Sequence, residues 1–181
     1  HRVEPVGTVI EPDAIGRLRG NDAARRTEIA SYDADAQAVL AWLREQAVVD
    51  QERLGAVGFC IGGHLAFRAA FRPAVRATAC LYPTGLQNGK LGRGVADSLQ
   101  RAGEIKGALF TLFGSEDPHV PAEDRERVLE ALRGLRHETV LFEANHTFMR
   151  DDGWRWDPDL ADQAWAAVIT FLRRGLSPAQ P

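Results

Sequence analysis

From Leu54 to Phe67 the chain reads Leu-Gly-Ala-Val-Gly-Phe-Cys-Ile-Gly-Gly-His-Leu-Ala-Phe, an apolar run that ends on a cysteine among glycines and continues in helix-forming residues. The pattern is that of a strand, a sharp turn and a helix. A side chain pushed out on such a turn has a strained backbone and neighbours too close for a Cβ, a demand that glycine at 58, 62 and 63 meets. Cys60 then stands where a helix begins. Unpaired N–H groups and the positive end of the helix dipole favour an anion there, so a thiolate forms more easily than in water. The Ile61 N–H is placed to hold the oxyanion of a tetrahedral intermediate. Free cysteine is also common as a small buried hydrophobe, so a purely structural cysteine stays open on this stretch alone.

With 181 residues, 45% hydrophobic and 26% charged, the chain has the makeup of one ordinary globular domain spanning residues 1–181. A net charge of −3 supplies no basic stripe, and no apolar run approaches the roughly 20 residues that cross a bilayer. Nucleic-acid and membrane partners are therefore not expected. The two cysteines, Cys60 and Cys80, fit neither a disulfide framework nor a metal cluster, and a reducing cytoplasm suits a catalytic thiol.

Residues 1–21 carry Pro5, Gly7, Pro12, Gly16 and Gly20, the punctuation of a loop. A short helix is expected over 22–30, then a better one over 32–46 with Ser31 as N-cap and Ala36, Val39, Leu40 and Leu43 as its core stripe. The spacing predicts strands over 53–59, 75–82, 107–113 and 137–142. Helices are predicted over 61–71, 95–102, 121–132 and 158–174, the third opened by Pro121 and early acids. Strand and helix alternate from residue 32 onward, which implies an α/β fold with a mostly parallel sheet and helices on both faces. In such sheets the site gathers beyond the C-terminal ends of the strands.

Cys60, Asp117 and His146 each follow a predicted strand. A thiol nucleophile needs a base, and the base needs an orienting acid. The chain order nucleophile, acid, histidine is that of α/β-hydrolases, and among five histidines only His146 lies in a late loop at the expected edge. Asp117 also reads as a turn-capping aspartate, and Glu116 beside it competes for the acid role.

Gly58-Phe59-Cys60-Ile61-Gly62-Gly63, Gly114-Ser115-Glu116-Asp117 and His146-Thr147-Phe148-Met149-Arg150 together resemble the dienelactone hydrolase family, across roughly the whole chain. The resemblance implies a Cys60, His146, Asp117 triad that hydrolyses a small lactone or ester bearing a carboxylate, without metal or organic cofactor. It also implies that Arg150 and Arg2 hold the substrate carboxylate and that Tyr82 lines the pocket. A guanidinium suits that task because its planar fork donates two bonds. The quaternary expectation is a monomer or homodimer.

Members of that family carry several strands before the point matching His1, including a loop that supplies the second oxyanion N–H. No clear strand precedes residue 53, so the chain is expected to be N-terminally truncated, with one edge or face of its sheet uncovered. Two other functions remain open at this point. One is a general carboxylesterase with the same triad; the other is a non-catalytic module with an incomplete site.

Overall fold

Four short runs rich in apolar residues pair into one parallel sheet in the computed structural model, which describes residues 3–11 and 13–177. The strands are β1 (Leu54–Phe59), β2 (Val75–Leu81), β3 (Ala108–Gly114) and β4 (His137–Phe142), in the order β1-β2-β3-β4. All three pairings are parallel. The helices are α1 (Ala14–Arg26), α2 (Ile29–Arg44), α3 (Ile61–Ala69), α4 (Ala122–Ala131) and α5 (Pro158–Gly175). Among the described residues, no helix is long and apolar enough to cross a membrane.

The period of two along each strand sorts the core into two layers. Cys80, Leu109 and Phe113 face one side and pack with Phe67 of α3 and Val128 of α4. Ala79, Leu81, Phe110 and Leu112 face the other side and pack with Ala164, Val168 and Phe171 of α5. Every residue of β3 is buried, as a strand covered on both faces requires. α5 starts on an Asp157 side chain that accepts the Leu160 N–H at 3.0 Å, with Pro158 in the first turn.

Among the described residues β1 pairs on one side only. Val57 and Phe59 on it, and Trp165 and Ile169 on α5, are each 37–43% exposed. α2 buries no residue fully, and it bounds a groove of about 500 Å³ with β1 and α3, lined by Val39, Leu40, Leu43, Val57 and Leu65. What ties α2 to α3 is polar. Arg68 of α3 donates Nε to Asp33 Oδ1 at 2.9 Å and Nη2 to Asp33 Oδ2 at 2.6 Å, and its Nη1 reaches Asp97 and Ser98.

Four expectations need correction. A 13-residue helix, α1, occupies much of the expected N-terminal loop, capped by the Asp13 carboxylate on the Gly16 N–H at 2.6 Å. The helix expected over 22–30 is split, with α1 covering 22–26 and α2 starting at Ile29: at the break the Thr27 carbonyl accepts the Arg93 N–H at 2.8 Å, and Glu28 forms a parallel bridge with Arg93. α2 begins at Ile29, which puts Ser31 inside the helix rather than at its cap. No α-helix spans 95–102 either. Asp97 and Ser98 are drawn into bonds with Arg68 and His64, and only a 3₁₀ turn at Ala102–Glu104 follows. At the 27–28 break and at 95–102 a tertiary polar contact overrides local propensity, whereas α1 is started by a local cap.

Candidate active site

The turn after β1 sets the nucleophile. A Cβ on Gly58 would lie 1.9 Å from the Gly62 carbonyl oxygen, so the strand passes under the helix start only as glycine. Gly62, by contrast, faces open space. Cys60 holds φ 55° and ψ −124°, a strained setting for a residue with a Cβ. Bonds around it keep it there: its N–H donates to the Leu81 carbonyl at 3.0 Å, and its own carbonyl accepts from Gly63 at 3.0 Å and Thr84 at 3.2 Å. The Ile61 N–H stands at the first residue of α3, directly after Cys60, and helps lower the Cys60 pKa.

Loops after β3 and β4 are laced together. The Ser115 N–H donates to the Phe142 carbonyl at 2.8 Å and the Glu116 N–H to the Ala144 carbonyl at 3.1 Å. That register brings Asp117 under His146. His146 Nδ1 lies 2.7 Å from Asp117 Oδ2, and His146 Nε2 lies 3.2 Å from Cys60 Sγ. The other carboxylate oxygen, Asp117 Oδ1, accepts the His119 N–H at 2.8 Å. Asp117 and His146 are buried, at 3% and 4% exposure, whereas Glu116 is exposed. It is therefore Asp117, not Glu116, that meets the imidazole.

The electrostatics favour a thiolate beside an imidazolium. Burial alone would raise the Cys60 pKa, but its contacts with His146 and Thr84 hold the thiol below its usual range. For His146 burial works downward, yet its bonds to Asp117 and Cys60 carry it up to about 9. Cys80 is the opposite case. It is fully buried, burial pushes its thiol up, and it is inert.

The remaining expected residues fall in different places. Tyr82 is 2% exposed and packs its ring 5.2 Å from the His146 ring, so it braces the imidazole rather than standing open to solvent. Arg150 is exposed and forks onto Asp152, with Nε at 2.5 Å from Oδ1 and Nη2 at 3.0 Å from Oδ2. Arg2 lies outside the described residues. Among those residues no group of three His, Cys, Asp or Glu side chains is arranged to hold a metal ion.

Two neighbours of the site were not singled out from sequence. Thr84 places Oγ1 3.6 Å from Cys60 Sγ, and the His119 ring centroid is 4.6 Å from that of His146. Each sits two residues beyond a residue that was singled out, Tyr82 and Asp117, and that proximity was the available signal. Non-glycine residues with left-handed φ also cluster here: Cys60, Tyr82 at 37° and Thr147 at 60°.

Comparison with known proteins follows the same residues. The model of the dienelactone hydrolase family matches residues 12–176. A protein of Saccharomyces cerevisiae named "Putative carboxymethylenebutenolidase" is 33% identical over 147 residues, covering 77% of this chain and 54% of its own length. A Synechocystis protein of the same name is 29% identical over 160 residues, covering 87% and 65%. The chain thus spans a little over half to about two thirds of these relatives. A solved structure from Klebsiella pneumoniae, "Putative Dienelactone Hydrolase", matches with a TM-score of 0.67 at 24% identity, over 78% of this chain and 60% of that one. That likeness speaks to the fold.

Proposed function

The chain belongs to the dienelactone hydrolase family, and from that membership we propose that it hydrolyses a small lactone or ester through a Cys60, His146, Asp117 triad and a thioester acyl-enzyme. The observation that carries the reading is the relay of contacts from Asp117 Oδ2 through His146 to Cys60 Sγ, at 2.7 Å and 3.2 Å. Hydrolase chemistry also fits the name of both relatives, "Putative carboxymethylenebutenolidase".

In this scheme the Cys60 thiolate attacks the ester carbonyl carbon, and the Ile61 N–H donates to the oxygen as it gains charge. The carbon–oxygen bond to the leaving group then breaks. Protonated His146 gives its Nε2 proton to the departing oxygen, leaving a thioester on Cys60 and a neutral imidazole. Water attacks the thioester while His146 Nε2 takes its proton, and the carboxylic acid leaves as the thiolate returns. Asp117 keeps Nδ1 protonated throughout, which aims Nε2 at the sulfur. Each step is balanced by groups in the site and one water. A free-thiol nucleophile is best kept in a reducing compartment such as the cytoplasm.

A carboxylate-bearing lactone is the finer substrate reading, with Arg150 as the guanidinium for that carboxylate and Tyr82 bracing His146 beneath it. One observation favours a second reading, a general esterase acting on uncharged esters: Arg150 already forks onto Asp152. The deciding experiment is hydrolysis of a small dienelactone and of an uncharged aryl ester by the purified protein, before and after alkylation. Turnover of the dienelactone that alkylation of Cys60 abolishes supports the main reading. Turnover of the aryl ester alone supports the second, and turnover that survives complete alkylation overturns both.

A further inference from the structure

The sulfur of Cys60 has a second polar neighbour besides the imidazole. Thr84 Oγ1 stands 3.6 Å from Sγ, within reach of a hydrogen bond to sulfur, while His146 Nε2 stands 3.2 Å away on its own side. A thiolate can only accept, so once Cys60 ionises the hydroxyl proton of Thr84 is the one that turns toward it. We propose that Thr84 is a second side-chain hydrogen-bond donor to the Cys60 thiolate, holding the reacting sulfur jointly with His146. The proposal deepens the thiol-hydrolase reading and rests on it.

The backbone makes this neighbour a fixed one. The segment from Leu81 to Thr84 wraps the elbow: the Leu81 carbonyl accepts the Cys60 N–H at 3.0 Å, and the Thr84 N–H donates to the Cys60 carbonyl at 3.2 Å. Between them Tyr82 is held at φ 37° and Pro83 has its φ set by the ring. The fit is tight, since a Cβ on Gly63 would lie 3.1 Å from both the Leu81 oxygen and the Pro83 Cα. Thr84 is thus tied to the nucleophile by its own main chain. A β-branched side chain also has few rotamers, so the hydroxyl direction is restricted.

The chemical consequence has two parts. A donor stabilises the thiolate against the thiol, which increases the ionised fraction at neutral pH. It also lowers the intrinsic reactivity of each thiolate, because nucleophilicity falls with thiol pKa at a Brønsted slope of about 0.4–0.5. Once the sulfur becomes a thioester its charge is gone and the bond weakens. Thr84 therefore acts on the resting nucleophile more than on the acyl-enzyme.

The test is the rate of Cys60 alkylation by iodoacetamide from about pH 5 to about pH 10, read by peptide mass so that Cys80 is scored separately. Wild type, Thr84→Val, Thr84→Ser and His146→Ala are compared. Loss of one hydrogen bond to a charged sulfur raises the midpoint in Thr84→Val by about one pH unit. On the acid side the rate then falls about threefold, a tenfold loss of thiolate offset by about threefold greater reactivity, and on the alkaline plateau it rises about threefold. Thr84→Ser keeps the wild-type midpoint. A residue that served only to pack would scale the rate at all pH values and leave the midpoint in place. An unchanged midpoint in Thr84→Val, or an equal shift in Thr84→Ser, overturns the proposal. Should valine at 84 prevent folding, Thr84→Ala removes the hydroxyl without added bulk and carries the same comparison. A wild-type thiol that titrates in its ordinary range and ignores His146→Ala would overturn the triad as well. A low wild-type midpoint that responds to His146→Ala but not to Thr84→Val overturns this inference alone.

Discussion

The imidazole of His146 meets the buried carboxylate of Asp117 at 2.7 Å, while Glu116, one residue away, is exposed. Adjacent acids thus have separate roles. Asp117→Asn keeps an oxygen for the His119 N–H but favours the wrong imidazole tautomer, so ester turnover falls by about 10³–10⁴-fold. Glu116→Gln leaves turnover unchanged. Steady-state rates of the two variants, measured side by side, check the assignment.

Two histidines act on stability in opposite directions. His146 has its pKa raised to about 9, so its contribution is fully present below about 6.5 and is lost as pH rises toward about 9. His64 is fully buried against the Ser98 hydroxyl at 2.7 Å, and burial lowers its pKa to about 4. The unfolded chain therefore binds a proton that the folded chain refuses. That contribution is present above about 6.5 and is lost as pH falls toward about 4. The lowered Cys60 pKa works against the His146 loss above about 6.5, so the clear slope in thermal midpoints lies on the acid side, and His64→Leu should flatten it. An acid side equally steep in His64→Leu would remove His64 as its cause.

Arg68 joins α2, α3 and the loop at Asp97, with its side chain only 5% exposed. Replacing it with methionine takes the partner from Asp33 and leaves Asp97 only the Arg101 guanidinium at 3.9 Å. Since both acids keep some contact with water, the loss should lie near the low end of the range for a broken buried pair, about 3 kcal/mol. Denaturant unfolding of Arg68→Met reads it directly, with α2 expected to loosen first.

Much of this was legible from residue order. The glycines around Cys60, and the acid and histidine each just past a strand, are local patterns tied to backbone geometry, and the four strands match within a residue or two. What was not legible rests on a local cap in one place and on distant polar contacts in the others. α1 carries Gly16 and Gly20, which argue against a helix, and only the Asp13 cap signals one. The helix expected at 95–102 is lost because Ser98 serves His64 and Arg68, which are about 30 residues away in sequence. Thr84 left no mark as a sulfur neighbour, since its place depends on how β2 ends beside β1.

Substrate charge separates the two hydrolase readings. If Arg150 leaves Asp152 to hold a substrate carboxylate, Arg150→Ala should lower kcat/KM for a carboxylated lactone by about 10- to 100-fold and leave an uncharged ester untouched. Equal effects on both, or none, would favour the general esterase.

Trapping the acyl-enzyme tests the nucleophile most directly. The protein is mixed with a slowly hydrolysed aryl ester, quenched in acid and mapped by peptide mass. A thioester route predicts the acyl mass on the peptide carrying Cys60, removable by hydroxylamine, with no adduct and no turnover in Cys60→Ala. Turnover that persists in Cys60→Ala, with no acyl group on Cys60 in the wild type, would contradict it.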